Sequence, residues 1–194
     1  PLTVIDPHLK WQLRTKLKQL HRQVGFTMVY VTHDQTEALT FADKVAVMFE
    51  GEVVQFGTPE ELFLSPNHTF VGHFIGSPGM NFLPCELDEG FLVFGGNRIK
   101  KSAPITQPET TKKIELGVRP EFIKIDSNGF PVNIIRIDDV GRYRIVKVEH
   151  SGYFFNVYVP EEFEVPTENL RVSFDPQNTH IYCDGWLYNK KEPS

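Results

Sequence analysis

Cysteine is scarce. The 194 residues hold two, Cys85 and Cys183, far apart in sequence and without neighbours at metal-ligand spacing. That excludes a disulfide scaffold, suggests no metal site, and leaves both thiols expected in reduced form, as in a cytosolic protein. No apolar run approaches 18 residues, so no membrane-spanning helix is expected. The start lacks a charged segment followed by an apolar core, so no secretory leader is expected either. Positive charge is not in excess: 20 Lys and Arg against 25 Asp and Glu give a net charge of −5. A nucleic-acid binder needs a basic footprint, and none is present. The Lys and Arg residues between Lys10 and Arg22 are spread around a helix and are expected to be solvated.

What is present, at 40% hydrophobic and 23% charged, is the composition of a globular chain. Its organising stretch is Phe26-Thr27-Met28-Val29-Tyr30-Val31-Thr32-His33-Asp34-Gln35-Thr36-Glu37-Ala38-Leu39. The β-branched apolar run predicts a buried strand of a parallel sheet. Asp34 followed by Glu37 predicts a helix start with Asp34 as cap, running to about Phe41. His33 then falls at the carboxyl end of a strand just before a helix, where open α/β sheets bind phosphates. Gln35 and Glu37 beside it read as capping and surface residues.

Asp6-Pro7 predicts another helix start, with an acceptor at the N-cap and proline first in the helix. Leu9, Leu13, Leu17, Leu20 and Val24 form its apolar stripe, and Gly25 closes it. Residues 44–50 and 52–57 predict a hairpin turning at Glu50-Gly51. Thr58-Pro59-Glu60-Glu61 predicts a capped short helix, and Ser65-Pro66 the start of another that carries Phe70, Val71, Phe74 and Ile75. This is the tail of an α/β domain, since one strand and a hairpin cannot form a sheet covered on both faces.

Composition changes at Gly76-Ser77-Pro78-Gly79. Beyond it, helical periodicity gives way to short apolar runs at 81–87, 91–94, 114–118, 122–125, 132–137, 144–148, 153–159 and 172–174. These predict an all-β closed barrel or sandwich, in first place a barrel of the OB type. Residues 101–112 read as an exposed loop, and Tyr153, Phe154 and Phe155 as barrel core. Arg119 and Glu121, on either side of Pro120, read as a salt-bridged pair that holds barrel strands together.

Several segments carry a family resemblance. Residues 31–39, followed by Ala42-Asp43-Lys44-Val45-Ala46-Val47-Met48, resemble the switch-histidine segment of ABC transporter ATPase subunits, most closely those of maltose-type carbohydrate importers. Residues 74–84 are similar to the family's junction into its regulatory barrel. Leu116-Gly117-Val118-Arg119-Pro120-Glu121 resembles a signature inside that barrel, and Phe174-Asp175-Pro176 its closing strand. Thr3-Val4-Ile5-Asp6-Pro7 is similar to the D-loop, with Thr for Ser and Pro for Ala.

The resemblance implies an α/β C-terminal remnant of a P-loop ATPase domain over residues 1–76, then an OB-like regulatory barrel over 77–194. It implies His33 as the catalytic contact to the γ-phosphate of ATP and its attacking water, and Asp6 as a dimer-interface residue. Arg119, Pro120 and Glu121 would be structural. The family's phosphate loop, Leu-Ser-Gly-Gly-Gln signature and catalytic glutamate occur nowhere in these residues and would precede Pro1. The chain is therefore expected to be an inactive fragment, with ATP and Mg used only by a full-length subunit. Implied partners are a second copy, transmembrane permease subunits and a regulatory protein on the barrel. The implied place is the cytoplasmic face of the membrane; the alternatives are a regulatory or dimerisation barrel module that binds a small ligand or an inhibitory protein, and, within the class, a polyamine or iron importer.

Overall fold

The computed structural model describes residues 6–89, 91–99 and 111–188. All but the last two residues of the loop expected at 101–112, and the D-loop residues before Asp6, lie outside them.

The chain opens with helix α1 (Pro7–Val24). Asp6 caps it by accepting the His8 N–H at 2.8 Å, and it closes at Gly25. Helix α2 (Gln35–Phe41) follows, capped by Asp34, which accepts the Thr36 and Glu37 N–H groups. Between them no strand forms over residues 26–31, contrary to the sequence expectation. A strand needs backbone partners on a neighbouring strand. Among the described residues none pairs with this segment, and Val29 and Val31 are 86% and 83% exposed. The stripe of α1 is similarly uncovered, with Leu9, Leu20 and Val24 all exposed.

Strands β1 (Val45–Phe49) and β2 (Glu52–Gly57) form the expected hairpin. Its two turn residues, Glu50 and Gly51, have φ of 51° and 86°, the pair of positive values that a type I′ turn requires. Helix α3 (Pro59–Leu64) carries the full reciprocal cap between Thr58 and Glu61. Helix α4 (Thr69–Phe74) starts three residues later than Ser65-Pro66 suggested. Its cap is His68, whose Nδ1 accepts the Phe70 N–H at 3.1 Å. Val47, Val54, Leu62, Val71 and Ile75 form a small core between hairpin and helices.

Among the described residues twelve strands follow: β3 (Asn81–Pro84), β4 (Glu86–Asp88), β5 (Phe91–Phe94), β6 (Asn97–Ile99), β7 (Ile114–Val118), β8 (Ile123–Pro131), β9 (Asn133–Asp139), β10 (Tyr143–His150), β11 (Tyr153–Pro160), β12 (Arg171–Phe174), β13 (Thr179–Cys183) and β14 (Trp186–Leu187). Beyond the hairpin, the ladders make four antiparallel sheets, ordered β14-β13-β7-β3, β11-β10-β9, β12-β8 and β4-β5-β6. They enclose one core in which Phe94, Phe130, Phe155 and Phe174 lie edge-on or tilted to one another at 5.1–6.3 Å. This is the OB-like barrel, assembled from separate sheets. Phe155 is core as expected, but Tyr153 and Phe154, beside the β10–β11 turn, are exposed. Cys85 and Cys183, distant in sequence, both pack on this core, and no disulfide joins them.

Candidate functional site

His33 stands exposed on the corner between Thr32 and Asp34, directly before the capped start of α2. Its position before a helix is as expected; the strand behind it is missing. What shapes the corner is Glu37, one turn into α2. Its side chain reads as surface in the sequence, yet the residue is 5% exposed.

Both of its carboxylate oxygens are occupied. Oε2 accepts from the Thr32 hydroxyl at 2.9 Å and from the Tyr30 hydroxyl at 3.0 Å. Oε1 meets Lys10 Nζ at 3.0 Å and Arg14 Nη1 at 3.6 Å. Burial alone would raise the Glu37 pKa, but the bonds from Lys10, Thr32 and Tyr30 outweigh it and hold the carboxyl below its usual range. Tyr30 is pushed the other way, by burial first and then by its bond to that carboxylate.

Lys10, Arg14 and Lys18 are therefore not solvated side chains spread around α1. At spacings of four they form one row facing α2, where Lys18 Nζ donates to the Thr40 carbonyl at 2.7 Å. Asp6 caps the same helix one turn before Lys10, whose backbone N–H donates to the Asp6 carbonyl at 2.9 Å. Gln35, expected at a cap or on the surface, instead accepts the Gly76 N–H at 2.9 Å, fastening α2 to the linker.

The second cluster lies where the helices meet the barrel. Arg119 is 1% exposed and does not pair with Glu121, which points to solvent. Its Nε and Nη1 donate instead to the Phe63 and Ile75 carbonyls, both at 2.6 Å, and its guanidinium lies 3.9 Å from the Phe63 ring centre. Burial pulls its pKa down to about 10, with Glu121 opposing, so it stays charged at neutral pH. Pro120 begins a single 3₁₀ turn, Pro120–Phe122.

Four successive carbonyls, the last two of α3 and the two that follow it, are taken by side chains. Arg119 takes Phe63, His180 Nε2 takes Leu64 at 2.8 Å, Gln55 takes Ser65 at 3.1 Å and the Tyr182 hydroxyl takes Pro66 at 2.8 Å. A helix end leaves orphan carbonyls, and here the barrel supplies most of the donors. A Cβ at Gly117 would come 2.5 Å from the Tyr182 ring, so the glycine of the Leu116–Glu121 motif makes room for that tyrosine. Sequence reading missed Tyr182, His180 and Gln55. Only the motif glycine hinted at a close approach.

Among the described residues, no three His, Cys, Asp or Glu side chains gather in a group that could hold a metal, and no helix is long and apolar enough to cross a membrane.

The sequence that forms this barrel and its helical segment is similar to known proteins. Residues 76–123 match the family described as the MalK OB fold domain. The chain is 34% identical over 191 residues to the sulfoquinovosyl glycerol transport ATP-binding protein SmoE of Agrobacterium fabrum, a match covering 94% of this chain and 53% of that protein. It is 35% identical over 186 residues to the sn-glycerol-3-phosphate import ATP-binding protein UgpC of Jannaschia sp., covering 94% of this chain and 52% of the relative. With UgpC of Vibrio cholerae the identity is 45% over 125 residues, 64% of this chain and 33% of that protein. The chain thus spans about half the length of the curated relatives that it matches along most of its own. Residues 76–123 are those of a MalK-type OB fold domain, and along most of its length the chain is similar to the ATP-binding subunits of importers.

Proposed function

We propose that these residues are the C-terminal part of the ATP-hydrolysing, energy-coupling subunit of an ABC importer for a sugar or related polyhydroxylated solute. The relatives are named for sulfoquinovosyl glycerol and sn-glycerol-3-phosphate, which supports that solute class. The observation that carries the reading is the exposed imidazole of His33 on a corner braced from behind by a saturated buried carboxylate. Phosphoryl transfer is mostly positioning and charge stabilisation, so a single well-held imidazole has a task there. It would contact the γ-phosphate and orient the attacking water.

The 194 residues contain no phosphate loop, and the described ones no metal-holding cluster. The cradle for ATP and the ligands of its Mg²⁺ are accordingly assigned to residues outside this chain. The ATPase segment would end near residue 76 and the barrel begin near 77; the two separate hydrophobic cores support that division. In the assembled importer the subunit would pair with a second copy, with Asp6 at the interface, and would dock on permease subunits at the cytoplasmic face of the membrane.

The test is His33→Ala in the full-length subunit. ATP turnover is expected to fall by about a hundredfold or more while the melting temperature holds. Turnover equal to the parent enzyme would contradict the assignment.

A further inference from the structure

We propose that Glu37 is a positioning residue for His33, acting through the hydroxyl of Thr32. This inference rests on the reading of His33 as the γ-phosphate contact. It identifies what holds that imidazole in place.

The chain of bonds is short and directional. Thr32 Oγ1 spends its only proton on Glu37 Oε2, at 2.9 Å. Its oxygen is then oriented to accept the Asp34 N–H, at 3.0 Å. These two bonds close the turn that begins at Thr32 and ends at Asp34, and the residue inside that turn is His33. Asp34 in turn spends its carboxylate on the Thr36 and Glu37 N–H groups, so the far side of the corner is fixed to α2. Glu37 cannot swing away, because Lys10 and Arg14 of α1 hold its other oxygen and Tyr30 shares the first. A second helix thereby fixes the backbone on either side of an otherwise exposed imidazole.

The simpler reading is that Glu37 only joins α1 to α2. The two differ in what a neutral isostere does. A glutamine amide presents N–H donors where the site holds donors alone. If its amide nitrogen faces Thr32, the hydroxyl loses its acceptor and must turn its proton away, so nothing then fixes its oxygen toward the Asp34 N–H. A purely structural Glu37 would lower stability and leave the turnover of folded enzyme alone. A positioning Glu37 would lower kcat through His33, with KM for ATP unchanged, because the interaction matters when water attacks rather than when nucleotide binds.

The test is a double-mutant cycle in the full-length subunit, joined to amide exchange on the present chain. Glu37→Gln is expected to cut kcat about tenfold at unchanged KM, yet by less than about twofold when added to His33→Ala. Thr32→Val should reproduce Glu37→Gln, and Thr32→Ser, which keeps the hydroxyl, should restore the rate. In the 194-residue chain the Asp34 amide should exchange faster in both Glu37→Gln and Thr32→Val. Equal losses from Glu37→Gln with and without His33, or an unchanged Asp34 exchange rate, would overturn the inference while leaving the role of His33 standing. If His33→Ala itself left turnover intact, both would fall. Should Glu37→Gln not fold, the Thr32 pair and its exchange rates decide.

Discussion

The two halves of this chain follow the same folding rules with opposite results. From Tyr153 onward β11 alternates its side chains, and its Phe155, Val157 and Val159 are fully buried. From Phe26 onward an equally apolar run leaves Val29 and Val31 facing solvent. The difference is not in the residues but in their partners. Each barrel strand has a neighbour to complete its ladder, whereas residues 26–31 have none among those described. An apolar strand pattern is an offer that a second strand must take up. Burying such side chains stabilises by about 2 kcal/mol each, so an uncovered face also invites association.

The contrast can be broken most severely at the barrel. Phe155→Ala should destabilise the chain by about 4 kcal/mol, because the ring sits within 6.3 Å of Phe94, Phe130 and Phe174 with no solvent to fill the cavity. Chemical denaturation measures it. Arg119→Met should cost about 3 kcal/mol by leaving the Phe63 and Ile75 carbonyls unpaired, offset in part by the relief of a buried charge. It should also split one unfolding transition into two, since the arginine joins the halves. Arg119→Lys should restore little, because a single ammonium cannot replace the planar fork.

Acid sharpens the comparison further. Glu37 has its folded pKa below the ordinary carboxylate value, so its contribution is present above that value, near pH 4.3, and is lost as pH falls through the lower folded one. Melts below pH 4 should show the helical part loosening first, and in Glu37→Gln that acid-side loss should vanish. The smallest effect belongs to Val29→Ser with Val31→Ser. Stability should move within about 0.5 kcal/mol, since neither side chain is packed. Sedimentation should nonetheless show less self-association than in the parent chain.

Local signals were legible from the residues. The Asp6 and Asp34 caps, the Thr58–Glu61 box and the Glu50-Gly51 turn each depend on neighbours within four positions, and each formed. What needed distant partners was not legible. The cap of α4 falls at His68 rather than Ser65 because residues 65–67 are committed elsewhere, the Ser65 and Pro66 carbonyls to Gln55 and Tyr182, and the Asn67 N–H to Gln55. Strands β6, β13 and β14 are short and mixed in polarity, so no period announced them. Arg119 was assigned to Glu121, two residues away, when its partners lie 44 and 56 residues earlier. At the His33 corner the imidazole and its cap were readable. The buried carboxylate behind them was not, because its burial depends on α1 lying across α2.

If residues 1–76 are, as proposed, the closing portion of a larger ATPase domain, strands outside this chain cover the face left open here. Hydrogen exchange at the amides of residues 26–31 tests it directly, compared between this chain and the full-length subunit. Rapid exchange in the short chain and strong protection in the long one is the predicted result. Equal exchange in both would contradict it.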